Sequence, residues 1–250
     1  MRTRVLTGVP LALVALAVVW LGGYPFAALV ASAAVLVLRE WRILTGLKQW
    51  PYLAALLVLA ASLAVVLADV RIEGLQLAAG IVLAGSLVLT LFGGAAALGL
   101  AYAALPAVAL LWLRALPFGL GVVAWVLVVV IATDIFAYIA GRLIGGRKLA
   151  PRISPGKTWA GLAGGAAAGF IAGWFVADHF ALPPWLGLSG GMAAVLAQIG
   201  DLFESWMKRR AGVKDSGNLL PGHGGVMDRV DGLLPVAVAA GAAVFVGMGV

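Results

Sequence analysis

The chain contains no cysteine, which excludes a disulfide framework, a thiolate metal centre and a cysteine nucleophile. Charge is also scarce. Only 11% of the 250 residues are Asp, Glu, Lys or Arg, and there are two histidines. A soluble domain of this length has too little core volume, for its surface, to hide so apolar a chain. The apolar stretches do not alternate with polar residues, which argues against a transmembrane β-barrel. The formal charge of +7 comes without any polar domain that might carry a groove-reading face, so nucleic acid is not expected as a partner. Anionic headgroups or phosphate ligands suit such a balance better.

What remains is hydrophobic: 64% of residues, with a mean hydropathy of +1.11. The runs are continuous and rich in Ala, Leu, Val and Gly, and roughly 20 such residues cross the hydrocarbon as a helix. Nine spans are predicted, at about 5–21, 24–39, 51–68, 75–93, 96–113, 117–140, 158–177, 185–203 and 232–249. The fold class is therefore an all-α polytopic integral membrane protein. Residues 1–115 carry spans one to five. Residues 116–250 carry spans six to nine with the polar loops 141–157 and 204–231. Pro51 fits a first helical turn, and Pro183-Pro184 should break the chain before span eight. Met1-Arg2-Thr3-Arg4 before an apolar run has the outline of a signal peptide, and Ala31-Ser32-Ala33 resembles a cleavage site. That tripeptide lies inside the second run, so the first segment is expected to be retained.

Placing the N-terminus in the cytoplasm puts fifteen of the seventeen Lys and Arg residues on the inner side, leaving Arg71 and Arg114 outside. This satisfies the positive-inside rule, and nine spans then leave the C-terminus outside. The predicted location is the inner (cytoplasmic) membrane, with the polar chemistry on the cytoplasmic face.

The first 130 residues hold few ionisable groups, all at span ends or in loops, where they anchor and orient helices. Later stretches differ. Asp134 is a carboxylate near the end of an apolar helix, a costly placement that points to function; Tyr138 and Arg142 follow on the same face. The segment Ser154-Pro155-Gly156-Lys157-Thr158 precedes span seven, with Ser154 expected as its N-cap. A helix start with Lys157 and Thr158 suits phosphate, although the spacing from Gly146 is not that of a Walker A loop. Asp201, Glu204, Ser205 and Lys208 recur at i, i+3, i+4 and i+7, a stripe with the oxygens for a hard cation and an ammonium for an anion. Finally, Lys214 to Asp231 mixes charge with glycine: Gly222, Gly224 and Gly225 flank His223 and let main-chain N–H groups approach a ligand. Asp228 and Asp231 lie one helical turn apart around Arg229. His179, beside Asp178 on the outer side, reads as a loop residue.

The run Ser205-x-x-Lys208-Arg209, then Lys214-Asp215-Ser216-Gly217-x-Leu219-Leu220-Pro221-Gly222-His223-Gly224-Gly225-x-x-Asp228-Arg229-x-Asp231, closely resembles the signature of the phosphatidate cytidylyltransferases (CDP-diacylglycerol synthases). The stretches Asp134–Tyr138 and Ser154–Trp159 resemble the same family, so the likeness covers residues 130–232. It implies transfer of CMP from CTP to phosphatidic acid, giving CDP-diacylglycerol and pyrophosphate. It also implies a helical membrane fold, a homodimer, contact with membrane lipid, and Mg²⁺ at positions near Asp201 and Asp228, one of which a monovalent ion such as K⁺ can occupy. Gly156 and Ala160 stand where that family often has Lys and Glu, and Gly232 where Ser is common.

Nucleotidyl transfer gathers negative charge around one phosphorus, so catalysis there is chiefly positioning and neutralisation. Asp201, Asp228, Glu204 and Asp231 are the candidate metal ligands. Lys208, Arg209, Lys214, Asp215, His223 and Arg229 are the candidate catalytic groups. Asp134, Tyr138, Ser154, Lys157, Thr158, Ser205, Ser216, Gly224 and Gly225 are the candidate substrate contacts. Two alternatives stay open: a cytidylyltransferase for an ether or isoprenoid lipid phosphate, and a cation-coupled transporter. A transporter should place its carboxylates near mid-membrane, whereas here they crowd one interface.

Overall fold

The structure is a computed structural model describing residues 2–217, 219 and 224–248. Its long helices are α1 (Arg2–Leu21), α2 (Gly23–Thr45), α3 (Gln49–Ala68), α4 (Ile72–Leu89, continued by a 3-10 turn at Thr90–Phe92), α5 (Gly94–Ala115), α6 (Gly119–Leu143) and α7 (Trp159–His179). A short α8 (Pro184–Leu188) leads into α9 (Gly190–Arg210), and a single turn, α10 (Met227–Val230), precedes α11 (Leu233–Gly247). Each predicted span overlaps helical structure, the eighth being divided between α8 and α9, and Ala31-Ser32-Ala33 lies inside α2. Among the described residues, five segments are long and apolar enough to cross a membrane: Gln49–Ala68, Ile72–Phe92, Gly94–Ala115, Gly119–Leu143 and Trp159–His179.

Three local expectations need correction. Span eight is not one rod, because Pro184 starts the short α8 and the chain turns at Ser189 before α9. The loop 141–157 is not irregular: β1 (Lys148–Ala150) and β2 (Ser154–Thr158) pair as an antiparallel ribbon. That pairing takes Ser154 out of contention as the N-cap of α7. The cap is Thr158, whose extended backbone (φ −125°, ψ 160°) lets its hydroxyl oxygen accept from Gly161 N at 3.0 Å, satisfying one of the orphan N–H groups of the helix start.

The chain divides into two compact units, one of residues 1–117, 215–229 and 241–250, the other of residues 118–214 and 230–240. In the first, α5 is the most enclosed helix, with Trp112, Leu100 and Leu113 wholly buried, and it packs against α2, α3 and α4. Trp41 on α2 donates its indole N–H to Ala95 O at 2.8 Å. Arg71 and Arg114, the two basic residues expected apart from the rest, both have structural work here. Arg114 donates to Val19 O and Trp20 O at 2.9 and 2.8 Å, closing carbonyls left open at the end of α1. Arg71 pairs with Asp69 at 2.9 Å in the exposed turn before α4.

The second unit is built on close backbone contact. Along α7, Gly161, Gly165, Gly169 and Gly173 are all buried, a four-residue period of minimal side chains that lets α6 and α9 approach. At Gly165, an added methyl carbon would lie 2.9 Å from Gln198 Nε2 and 3.0 Å from Thr133 O. Overpacking of this kind costs about 1–3 kcal/mol. Gly165→Ala is therefore expected to lower the thermal unfolding transition of the detergent-solubilised protein by several degrees. Gly80→Ala, which meets nothing within 4 Å, should leave it in place or raise it slightly; a fluorescence melting curve for each variant reads the difference.

Candidate active site

In the second unit, functional candidates from four separate elements come together electrostatically. Lys157, at the end of β2, places Nζ 2.7 Å from Asp201 Oδ2 on α9, and the same ammonium donates to Gln198 O at 3.3 Å. Ser205 donates to Asp201 Oδ1 at 3.3 Å from one turn further along α9. Asp231, just before α11, feels the charges of Asp201, Asp134 and Lys157, and accepts from Gly232 N at 2.8 Å. Burial, reinforced by the Asp201 carboxylate, pushes the Asp231 carboxyl up to about 7. Lys157 thus pairs with one carboxylate and has two further carboxyl groups in electrostatic reach, a cluster that a cation would suit.

The fit to a hard divalent ion follows from that donor set. Among the described residues no three Asp, Glu or His side chains converge as a ready-made cage. Mg²⁺ does not require one, since it keeps several waters and binds through one or two carboxylates plus substrate phosphates. A bound cation would pull the Asp231 carboxyl back down.

The stripe on α9 does not act as one surface. Asp201 meets Lys157 and accepts from Ser205, whereas Glu204 is only 1% exposed and pairs with Lys208 at 2.7 Å. Glu204 and Lys208 therefore form an interior ion pair, costly to break because either partner alone would be a buried charge. Arg209, exposed at the end of α9, donates Nε to Ile153 O at 3.3 Å and so holds the turn between β1 and β2. Ser154 is half-buried within β2, and Thr158 is buried in its capping role. Asp134 lies on an exposed part of α6, and Tyr138 is exposed with its hydroxyl accepting from Arg142 Nη1 at 2.6 Å.

In the first unit, Ser216 and residues 225–227 gather around two carboxylates. Asp228 Oδ2 accepts from Ser216 N at 3.0 Å and from Gly225 N at 2.8 Å, and lies 3.1 Å from Ser216 Oγ. Gly224 takes φ +82°, a conformation open to glycine, and Gly225 is buried. Asp215 and Arg229 are exposed in this unit, and Lys214 is exposed at the end of the second unit's long segment; His223 lies outside the described residues.

The second carboxylate here is Glu40, which the sequence had assigned only to anchoring. It is 3% exposed and accepts from Val226 N, Met227 N and Ser216 Oγ at 2.8, 2.8 and 2.7 Å. A signal existed in the sequence: Glu40 is the first acidic residue of the chain, alone between Arg39 and Arg42 at the end of an apolar run. No local spacing ties it to residues some 180 positions away.

Comparison with known proteins shows the family of the chain. The Cytidylyltransferase family profile matches residues 2–246. The chain is 40% identical over 245 residues to a phosphatidate cytidylyltransferase of Brucella abortus biovar 1 (strain 9-941), covering 95% of this chain and 90% of that protein. It is 47% identical over 124 residues to a phosphatidate cytidylyltransferase of Mycobacterium leprae (strain TN), covering 49% of this chain and 40% of that one.

Proposed function

Because the chain belongs to the cytidylyltransferase family, we propose that it transfers CMP from CTP to phosphatidic acid, forming CDP-diacylglycerol and pyrophosphate. The observation that carries this reading is the 40% identity to a phosphatidate cytidylyltransferase along nearly the whole chain, with the signature residues intact. An oxygen of the lipid phosphate forms the new bond to the α-phosphorus of CTP, and the bond from that phosphorus to the β-phosphate oxygen breaks, releasing pyrophosphate. The phosphomonoester is already largely ionised near neutral pH, so no strong general base is needed.

The proposed roles draw support from the contacts described above. Lys157 is held ready by Asp201, an ammonium positioned for a phosphate oxygen. Asp201, with Asp134 and Asp231 in electrostatic reach, would hold Mg²⁺, and Asp228 would serve the second metal position, for Mg²⁺ or K⁺. A bound divalent ion supplies neutralisation of the phosphate charge as the bond changes hands. Lys214 and Arg229, both exposed, are suited to clamp the triphosphate. Lys208 supports Glu204 instead.

The same reading includes nine membrane crossings, a cytoplasmic N-terminus and a site at the inner face of the cytoplasmic membrane. Its support is the partition of basic residues together with a helix at every predicted span. A homodimer belongs to the proposal as well and is read by the mass of the solubilised protein. The functional test is transfer of radiolabel from CTP to phosphatidic acid by the purified protein, with ether-lipid phosphates in parallel. Labelled CDP-diacylglycerol should appear with Mg²⁺ and vanish in excess chelator. Turnover that survives the chelator removes the metal role, and preference for an ether lipid replaces the acceptor.

A further inference from the structure

The N-terminal helices match no catalytic motif, yet one of their side chains lies at the centre of the signature loop. We infer that Glu40 is a positioning residue for that loop, a buried carboxylate on α2 against which Ser216, Gly217, Gly225, Val226 and Met227 are folded. This rests on the cytidylyltransferase reading above and assigns the first helices a part in it.

The geometry is specific. Two consecutive backbone N–H groups, Val226 and Met227, point at the two oxygens of one carboxylate, 2.8 Å from Oε1 and Oε2 respectively. Ser216 Oγ, from the other limb of the loop, donates to Oε2 at 2.7 Å. Glu40 thus joins the two limbs, and Ser216 passes the connection to Asp228, whose Oδ2 is 3.1 Å from the same hydroxyl. The loop closes tightly over this carboxylate: a side chain at Gly225 would collide with Ser216 Oγ and Glu40 Oε2, and one at Gly217 would meet Glu40 Oε1. A carboxylate so enclosed persists only because its hydrogen bonds offset its lost hydration. An ordinary helix anchor would snorkel to solvent; Glu40 does the reverse.

Glutamine is the informative replacement. Its amide keeps one acceptor oxygen but turns an NH₂ group toward a donor, so the two N–H groups of Val226 and Met227 cannot both be served. Bonds to a charged acceptor are individually strong, and losing one alignment should lower kcat/KM for CTP by about ten- to a hundredfold. Gross folding of α3, α4 and α5 should persist.

The test combines turnover with hydrogen exchange on the full-length protein in detergent, for wild type, Glu40→Gln, Ser216→Ala and the double variant. Faster exchange confined to 215–229 in Glu40→Gln, a fall in kcat/KM, and a double variant no worse than about the poorer single one support the inference, since both residues then act through one contact. Unchanged exchange at 215–229 in Glu40→Gln overturns it. Should that variant not fold, unchanged exchange in Ser216→Ala overturns it instead. Additive losses from two independent defects also sink it. Wild type that moves no CMP defeats the enzymatic reading alone, and the exchange result still decides the structural claim.

Discussion

Asp228→Asn is expected to reduce CMP transfer by about 10²–10³-fold or more, the scale reached when a preorganised electrostatic group is removed from a transition state. The variant should still express and fold. Asp228 Oδ2 gathers Ser216 N, Ser216 Oγ and Gly225 N; the asparagine oxygen can accept much the same bonds, so the loop survives while the charge is lost. Asp201→Asn should fall by a similar factor for a related reason. The amide cannot hold the Lys157 ammonium as the carboxylate does at 2.7 Å, and it is a poorer ligand for a hard cation. Asp178→Asn, in the last turn of α7, should retain activity. The radiolabel assay with saturating lipid reads all three. Near-normal turnover by either Asp201→Asn or Asp228→Asn would remove that carboxylate from the chemistry.

Gly225→Ala should be almost as damaging through a different physical route. No charge changes, but an added methyl would overlap Ser216 Oγ and Glu40 Oε2, neither of which can withdraw without abandoning its partners. The loop must shift, and a displacement on the order of 1 Å at a positioning element costs about 10²-fold in rate. The melting temperature should change less than activity, because the helices of the unit do not depend on the methyl's space. A variant with wild-type kcat/KM would mean that the loop tolerates this shift.

The spans were readable because continuous apolar length is a strong signal in a chain with so little charge, and each predicted span has a helix. Local endings were harder. Ser154 looked like a cap because Pro155 follows it, but the pairing of 148–150 with 154–158 depends on contacts that a linear pattern does not display, and Thr158 takes the role. The stripe at 201, 204, 205 and 208 was legible as a helical face, yet spacing alone could not tell that Glu204 and Lys208 turn into the interior while Asp201 meets Lys157. That last contact joins a strand to a helix some forty residues on. Glu40 shows the same limit most plainly: its partners are long-range backbone N–H groups, which carry no residue identity to read.

The bare face of α7 has a mechanical consequence. With glycine at 161, 165, 169 and 173, α7 can touch α6 and α9 nearly backbone to backbone, leaving few flexible side chains between them to act as a cushion. A helix normally answers a thicker or thinner bilayer by tilting; these three should tilt as one plank. Lys157 at the near end of α7 and Asp201 on α9 then ride together, and the spacing between ammonium and carboxylate becomes indifferent to the lipids outside. For a protein whose substrate and product are themselves membrane components, that is a form of insulation from its own surroundings.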